Sequence, residues 1–249
     1  MSAALIGVIG GSGMDRLRQM KVLGRQVIPT PFGPPSAPVI HGSLGGGEGY
    51  FLARHGSGHT LAPHEVNYRA NIWALHSLGI HRIIAINTVG AIRAGLTLGE
   101  LLLPDQIVDY TWGRAHTFHD GASGSVLHVD FTEPYSSELR GMLRLAATAA
   151  GVSLHDGGTY GATQGPRLES RSEIDRMERD GCDVVGMTGM PEAALAREMG
   201  LEYASCCVVV NMAAGRGDGG DGIHAEIERF MDLGMGRVRA VLERLMKNL

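Results

Sequence analysis

The sequence predicts a layered α/β fold on a largely parallel but mixed sheet. Short apolar, often β-branched segments alternate with longer helical patterns along most of the chain, as expected of a sheet flanked by helices. Before residue 60 the strand-like segments follow one another without helices, which adds antiparallel members. A chain of 249 residues, 44% of them hydrophobic, can bury one substantial core. No repeat or linker divides it, so residues 1–249 read as a single domain.

Taken in order, strand patterns fall at residues 5–9, 38–41, 49–53, 82–87, 106–109, 182–185 and 203–210. Helical patterns fall at 64–79, 136–150, 170–180, 191–199 and 223–247. The helix at 170 opens on Ser170-x-x-Glu173, a capping box, and stops at Gly181. The helix at 191 opens on Pro191, a residue favoured at the first helical position. In the last helix Ile227, Phe230, Met231, Val238, Val241, Leu242 and Leu245 form one apolar stripe, for core packing or subunit contact. The glycine-rich pieces at 42–49 and 215–222 read as short loops.

A net charge of −4 and a pI near 6.2 leave no basic field for nucleic acid. The N-terminus lacks the basic region of a signal peptide, and no apolar run approaches the ~20 residues that span a bilayer, so no membrane partner is expected. Cys182, Cys206 and Cys207 read as buried free thiols, the adjacent pair on opposite faces of a strand, which fits a cytoplasmic protein.

Chemistry-bearing residues gather at strand ends. In Cys182-Asp183-Val184-Val185-Gly186-Met187-Thr188-Gly189-Met190-Pro191-Glu192 a threonine hydroxyl and unpaired backbone N–H groups come together where a strand passes into a helix. That is where small anions bind in open α/β sheets. Ile9-Gly10-Gly11-Ser12-Gly13-Met14 is either an anion cradle, with Ser12 as donor, or a tight strand-to-helix turn. A dinucleotide fingerprint would need glycine where Arg16 stands. Arg54-His55 ends the strand at 49–53. The arginine fork suits phosphate oxygens, with a cationic or donor His55 beside it, and the alternative is plain surface charge. Ser12, Thr88 and Thr188 at three strand ends favour one shared anion.

His55, His59 and His64 have ligand chemistry for zinc, but the glycines and proline between them keep them off one helical face, so no metal is expected. His116 and His119 read as loop residues or as lining of the pocket, and Asp218 and Asp221 lack the ligand ladder of a calcium loop. Glu169 either complements the dipole of the capped helix or accepts from a ligand N–H. Asn211 is a turn residue at a strand end, or a group that donates and accepts at once.

Together these segments resemble the trimeric purine nucleoside phosphorylases, specifically their methylthioadenosine phosphorylase branch. The resemblance runs from Gly10-Gly11-Ser12-Gly13 and Thr30-Pro31-Phe32-Gly33-Pro34-Pro35-Ser36 through Leu52-Ala53-Arg54-His55-Gly56. It continues in Val66-Asn67-Tyr68-Arg69-Ala70-Asn71-Ile72-Trp73-Ala74-Leu75, Gly165-Pro166-Arg167 and the segment 183–198. It implies a three-layer α/β/α fold with a mixed central sheet, a cytoplasmic homotrimer, and phosphate as co-substrate with no cofactor. In that family phosphate attacks C1′ of a nucleoside and the purine leaves.

By resemblance, Ser12, Arg54, His55, Thr88, Val89 and Thr188 hold phosphate, and Met187 contacts the ribose. Leu168 and Glu169 match the base-binding pair, and Asn211, with Met212 and Ala213 after it, matches the purine N7/O6 side. Asn211, Glu169 and His55 carry the catalysis. His128 matches a residue lent by the neighbouring subunit. The 6-aminopurine enzymes carry aspartates where Asn211 and Ala213 stand, and serine at Glu169, so this chain suits a 6-oxopurine and resembles the S-methyl-5′-thioinosine phosphorylases. His224 either is a surface histidine in the first turn of its helix or departs from that pattern, because ordinary purine nucleoside phosphorylases place a histidine there on the ribose 5′-hydroxyl; inosine or guanosine is then the alternative substrate, and methylthioadenosine is a further one. A non-catalytic purine sensor is the reading from a different class.

Overall fold

The computed structural model describes residues 5–11, 20–121, 124, 126–217 and 223–248, the side chains of 223–226 excepted. The strands are β1 (Ile6–Gly10), β2 (Lys21–Gln26), β3 (Val39–Leu44), β4 (Gly47–Ala53), β5 (Arg82–Ala91), β6 (Leu101–Leu103), β7 (Gln106–Asp109), β8 (Leu154–Asp156), β9 (Thr159–Ala162), β10 (Val184–Gly186) and β11 (Glu202–Met212). The helices are α1 (Tyr68–Ser77), α2 (Ser137–Ala150), α3 (Arg171–Arg179), α4 (Glu192–Glu198) and α5 (Ile223–Lys247).

One mixed sheet runs in the order β2-β3-β4-β1-β5-β10-β9-β7, and β11, also paired to β5, extends it to β6 and β8. β1 lies parallel to β4 and β5, β11 parallel to β5, and β10 antiparallel to β5. Side chains alternate across β5 and β11, so the sheet separates two cores. On one face Ile83, Ala85, Tyr203 and Cys207 pack with Ile72 and Leu75 of α1 and Ala193 and Leu195 of α4. On the other, Ile84, Ile86, Cys206 and Val208 pack with Leu139 and Leu143 of α2 and with Met231, Val238, Val241, Leu242 and Leu245 of α5. The result is the three-layer α/β/α arrangement with a mixed sheet that the sequence implies.

The capping box of α3 forms as read, with the Ser170 and Glu173 side chains each serving the other's backbone N–H. Cys206 and Cys207 do enter opposite cores. Other expectations need correction. Residues 42–49 are not a loop: β3 and β4 occupy most of that stretch, and only Gly45 and Gly46, both at positive φ, form the hairpin turn. α1 begins four residues later than expected from 64, because Asn67 caps it by accepting from the Ala70 N–H. Pro191 is the N-cap of α4 rather than its first helical residue.

Candidate active site

The topology makes a gap beside β5. On one edge of β5, β1 ends opposite Ile86, while β10 comes from the other direction and ends near Gly90. β4 ends in step with β1, Ala53 lying opposite Gly10. The carboxyl ends of three strands therefore converge on Asn87, Thr88 and Val89, and a cavity of about 400 Å³ opens there. A site where strands meet from opposite directions is where an open α/β sheet offers a ligand backbone groups and strand-end side chains.

Arg54 is 1% exposed, not surface charge. Its Nε and Nη2 donate to the Glu192 carboxylate at 2.7 and 2.8 Å, Nη2 also reaches the Ile9 carbonyl at 3.4 Å, and Nη1 donates to the Ile86 carbonyl at 3.1 Å. A guanidinium has five N–H donors; these bonds use four and leave one on Nη1 beside Gly11. Burial works against the charge of Arg54, but Glu192 outweighs it and holds the guanidinium above its ordinary range. The Tyr203 hydroxyl donates to the same carboxylate at 2.9 Å.

Next to it, His55 is neutral, which corrects the expected cationic or donor group. Burial first, then the Arg54 charge, bring its pKa down to about 4. Its Nδ1 lies 2.8 Å from the Leu61 carbonyl and must donate there, so Nε2, near Gly11, is an acceptor. Thr188 is also fixed. Its hydroxyl donates to Asn87 Oδ1 at 3.0 Å, and the Asn87 amide donates to Ser205 Oγ at 2.7 Å. The Thr188 N–H, expected unpaired, donates to the Tyr160 hydroxyl at 3.3 Å.

Leu168, Glu169, Met187 and Asn211 line the same cavity, joined by Pro166 and by Ile227 and Met231 of α5. Glu169 Oε1 accepts from Thr163 Oγ1 at 2.6 Å, which leaves Oε2 for a ligand. Glu169 also lines a second cavity of about 490 Å³ with Trp112, Gln164 and Arg176. The β11–β5 register slips between Val209 and Asn211. Such a bulge re-aims a side chain at a site; Asn211 is 8% exposed, and its Nδ2 donates to the Met212 carbonyl at 2.8 Å.

Arg54, His55, Thr88, Val89, Leu168, Glu169, Met187, Thr188 and Asn211 thus share one cavity. Met212 and Ala213 lie off its wall, Ala213 packing with Ile174 and Met177 of α3. His128 is exposed and away from it. Ser12 and the His224 side chain lie outside the described residues. Sequence reasoning missed Asn87, a polar residue inside an apolar strand; that misfit was its signal. It also missed Glu192, which looks like ordinary first-turn charge of a helix, and Arg114, which carries no local signal.

A family model described as the phosphorylase superfamily matches residues 5–247. The chain is 54% identical over 227 residues to a probable S-methyl-5′-thioinosine phosphorylase of Xanthomonas campestris pv. campestris, covering 91% of each. It is 45% identical over 215 residues to a probable 6-oxopurine nucleoside phosphorylase of Thermococcus kodakarensis, covering 84% of this chain and 80% of that one. Among solved structures, methylthioadenosine phosphorylase from Schistosoma mansoni in complex with adenine superposes with a TM-score of 0.92 at 34% identity, over 98% of this chain and 91% of that chain. The chain belongs to the phosphorylase superfamily.

Proposed function

We propose that this member of the phosphorylase superfamily is a pentosyltransferase that cleaves a 6-oxopurine nucleoside with phosphate. The preferred pair is S-methyl-5′-thioinosine and phosphate, giving hypoxanthine and 5-methylthioribose 1-phosphate. One observation carries this reading: the anion-type groups Arg54, His55 and Thr188 and the base-type groups Glu169 and Asn211 line a single cavity. The names of the relatives at 54% and 45% identity support the 6-oxopurine class.

The geometry supports the following roles. Phosphate takes the remaining Nη1–H of Arg54 and the Thr188 hydroxyl, which turns from Asn87 to donate, with Thr88 and the Val89 backbone alongside. The acceptor Nε2 of His55 suits the P–OH of monohydrogen phosphate. Glu169 Oε2 accepts from purine N1–H, and the second amide hydrogen of Asn211 meets N7 or O6. As the C1′–N9 bond stretches, the sugar becomes cationic, the phosphate dianion faces it, and Asn211 receives the charge leaving on the purine. Catalysis is then positioning and electrostatic preorganisation, without a covalent intermediate. Met187 packs on the ribose. His128, exposed and off its own wall, serves the neighbouring site of a cytoplasmic homotrimer, a state that light scattering tests.

A wrong base leaves Glu169 and Asn211 unpaired, which can discriminate by as much as ~10⁴. The test is to rank kcat/KM for methylthioinosine, inosine, guanosine and methylthioadenosine, with and without phosphate. Methylthioinosine should lead and phosphate be required. Base release without phosphate, or methylthioadenosine in first place, overturns the reading.

A further inference from the structure

The charge around the anion end does not balance if only its wall is counted. Arg54 is matched by Glu192 in a pair 1% and 0% exposed. His55 is neutral, and the wall also carries the Glu169 carboxylate. These groups offer a dianion hydrogen bonds but no net positive charge.

Behind the wall lies Arg114, 9% exposed and absent from the cavity lining. Its Nη1 donates to the Met187 carbonyl at 2.9 Å and the Met190 carbonyl at 2.6 Å, one on each side of Thr188 and Gly189. Its Nη2 donates to the carbonyls of Thr163 at 3.2 Å and Gln164 at 2.8 Å, on the segment that leads to Glu169. Nε reaches Gln164 Oε1 at 3.2 Å and Nη1 the Tyr68 hydroxyl at 3.3 Å. Every described acceptor is neutral. A guanidinium does not lose its proton in a protein, so Arg114 is a buried cation with no carboxylate among its described hydrogen-bond partners. Counted together, Arg54 and Arg114 balance the Glu192 and Glu169 carboxylates, so Arg114 supplies the cation that the wall itself lacks. The carbonyls that Arg114 takes up are also kept from presenting their negative ends to an anion at Thr188.

We propose that Arg114 is a positioning residue of the anion site, charging the Met187–Met190 bend from behind and fixing Thr188 for phosphate. This rests on the phosphorolysis reading above. It predicts a selective defect. Removing a unit charge behind one peptide, in a medium of effective dielectric near 20, should weaken anion affinity by at least roughly tenfold.

The experiment compares Arg114→Gln and Arg114→Lys with the parent enzyme, measuring KM for phosphate and for nucleoside separately, with a thermal melt of each. Arg114→Gln should raise the phosphate KM by that factor and leave the nucleoside KM within about threefold, and Arg114→Lys, which keeps the charge but loses the planar fork, should raise the phosphate KM clearly less than Arg114→Gln does. Equal loss in both variants, a parallel rise in both Michaelis constants, or failure of both to fold makes Arg114 a residue of the fold alone and overturns the proposal. A parent enzyme that needs no phosphate refutes instead the phosphorolysis reading on which the proposal stands.

Discussion

Replacing Glu192 with glutamine tests how the anion end is held together. The substitution keeps the shape of the side chain but removes the charge opposite Arg54. Both partners are buried, at 1% and 0% exposure, and the carboxylate takes two bonds from Arg54 and one from Tyr203. An uncompensated guanidinium in that position costs about 3–5 kcal/mol, because breaking a buried pair strands a charge away from water. For a domain of this size that corresponds to a fall in Tm of roughly 6–20 °C. The double variant Arg54→Met/Glu192→Leu should regain most of the lost stability, since a well-packed apolar pair is often as stable as a buried ion pair. It should regain no activity. Thermal melts and urea titrations of Arg54→Met, Glu192→Leu and the double variant give the coupling energy, with Glu192→Gln measured beside them. A Glu192→Gln protein within about 1 kcal/mol of the parent would refute the reasoning. It would mean that the pair behaves as a solvated surface contact.

Four further outcomes are expected. Asn211→Ala should lower turnover of a 6-oxopurine nucleoside by about 10²–10³, the cost of one preorganised donor, and near-normal turnover would remove Asn211 from the mechanism. Thr188→Val strands Asn87 Oδ1, so it should cost about 1–3 kcal/mol in a denaturant titration and raise the phosphate KM; an unchanged KM excludes the hydroxyl from the site. Because the folded pKa of His55 lies at about 4, below its ordinary 6.5, the unfolded chain takes up that proton first. Its contribution to stability is complete above 6.5, falls as the pH drops toward 4 and is constant below; a His55→Gln protein should lack this component, seen as a flatter urea midpoint against pH. Gly186→Ala places a methyl group against the Tyr160 ring and hydroxyl, so it should cost about 1–3 kcal/mol in a thermal melt, and a variant as stable as the parent shows that Tyr160 can move aside.

The long, apolar strands and the capped helices were legible because their signals are local. β5 and β11 are continuous apolar runs, and Ser170 and Glu173 stand at the spacing of a capping box. β6, β8 and β9 were not, because three or four residues carry no period, and Gly161 interrupts β9 where a side chain would meet Cys182. β2 is an edge strand exposed along most of its length, so it has no buried face to announce it. The site divides in the same way. Arg54, His55 and Thr188 stand out as polar residues closing apolar strands, and Glu169 and Asn211 gain meaning from the family motifs. The protonation of His55 was not legible, since it depends on the Leu61 carbonyl and on the charge next to it. Nor was Arg114, whose acceptors on Tyr68 and Met190 lie 46 and 76 positions away.

The Arg54 guanidinium is also among the largest fully enclosed side chains in the molecule, and its carboxylate counterpart lies 138 positions along the chain. No fragment can reproduce this end of the pocket, which comes into being only when the whole domain has closed. Redesign is therefore confined to the opposite side. The cavity-lining residues Leu168 and Ile227 are the ones open to exchange, while the Arg54 end stays as fixed as the core itself.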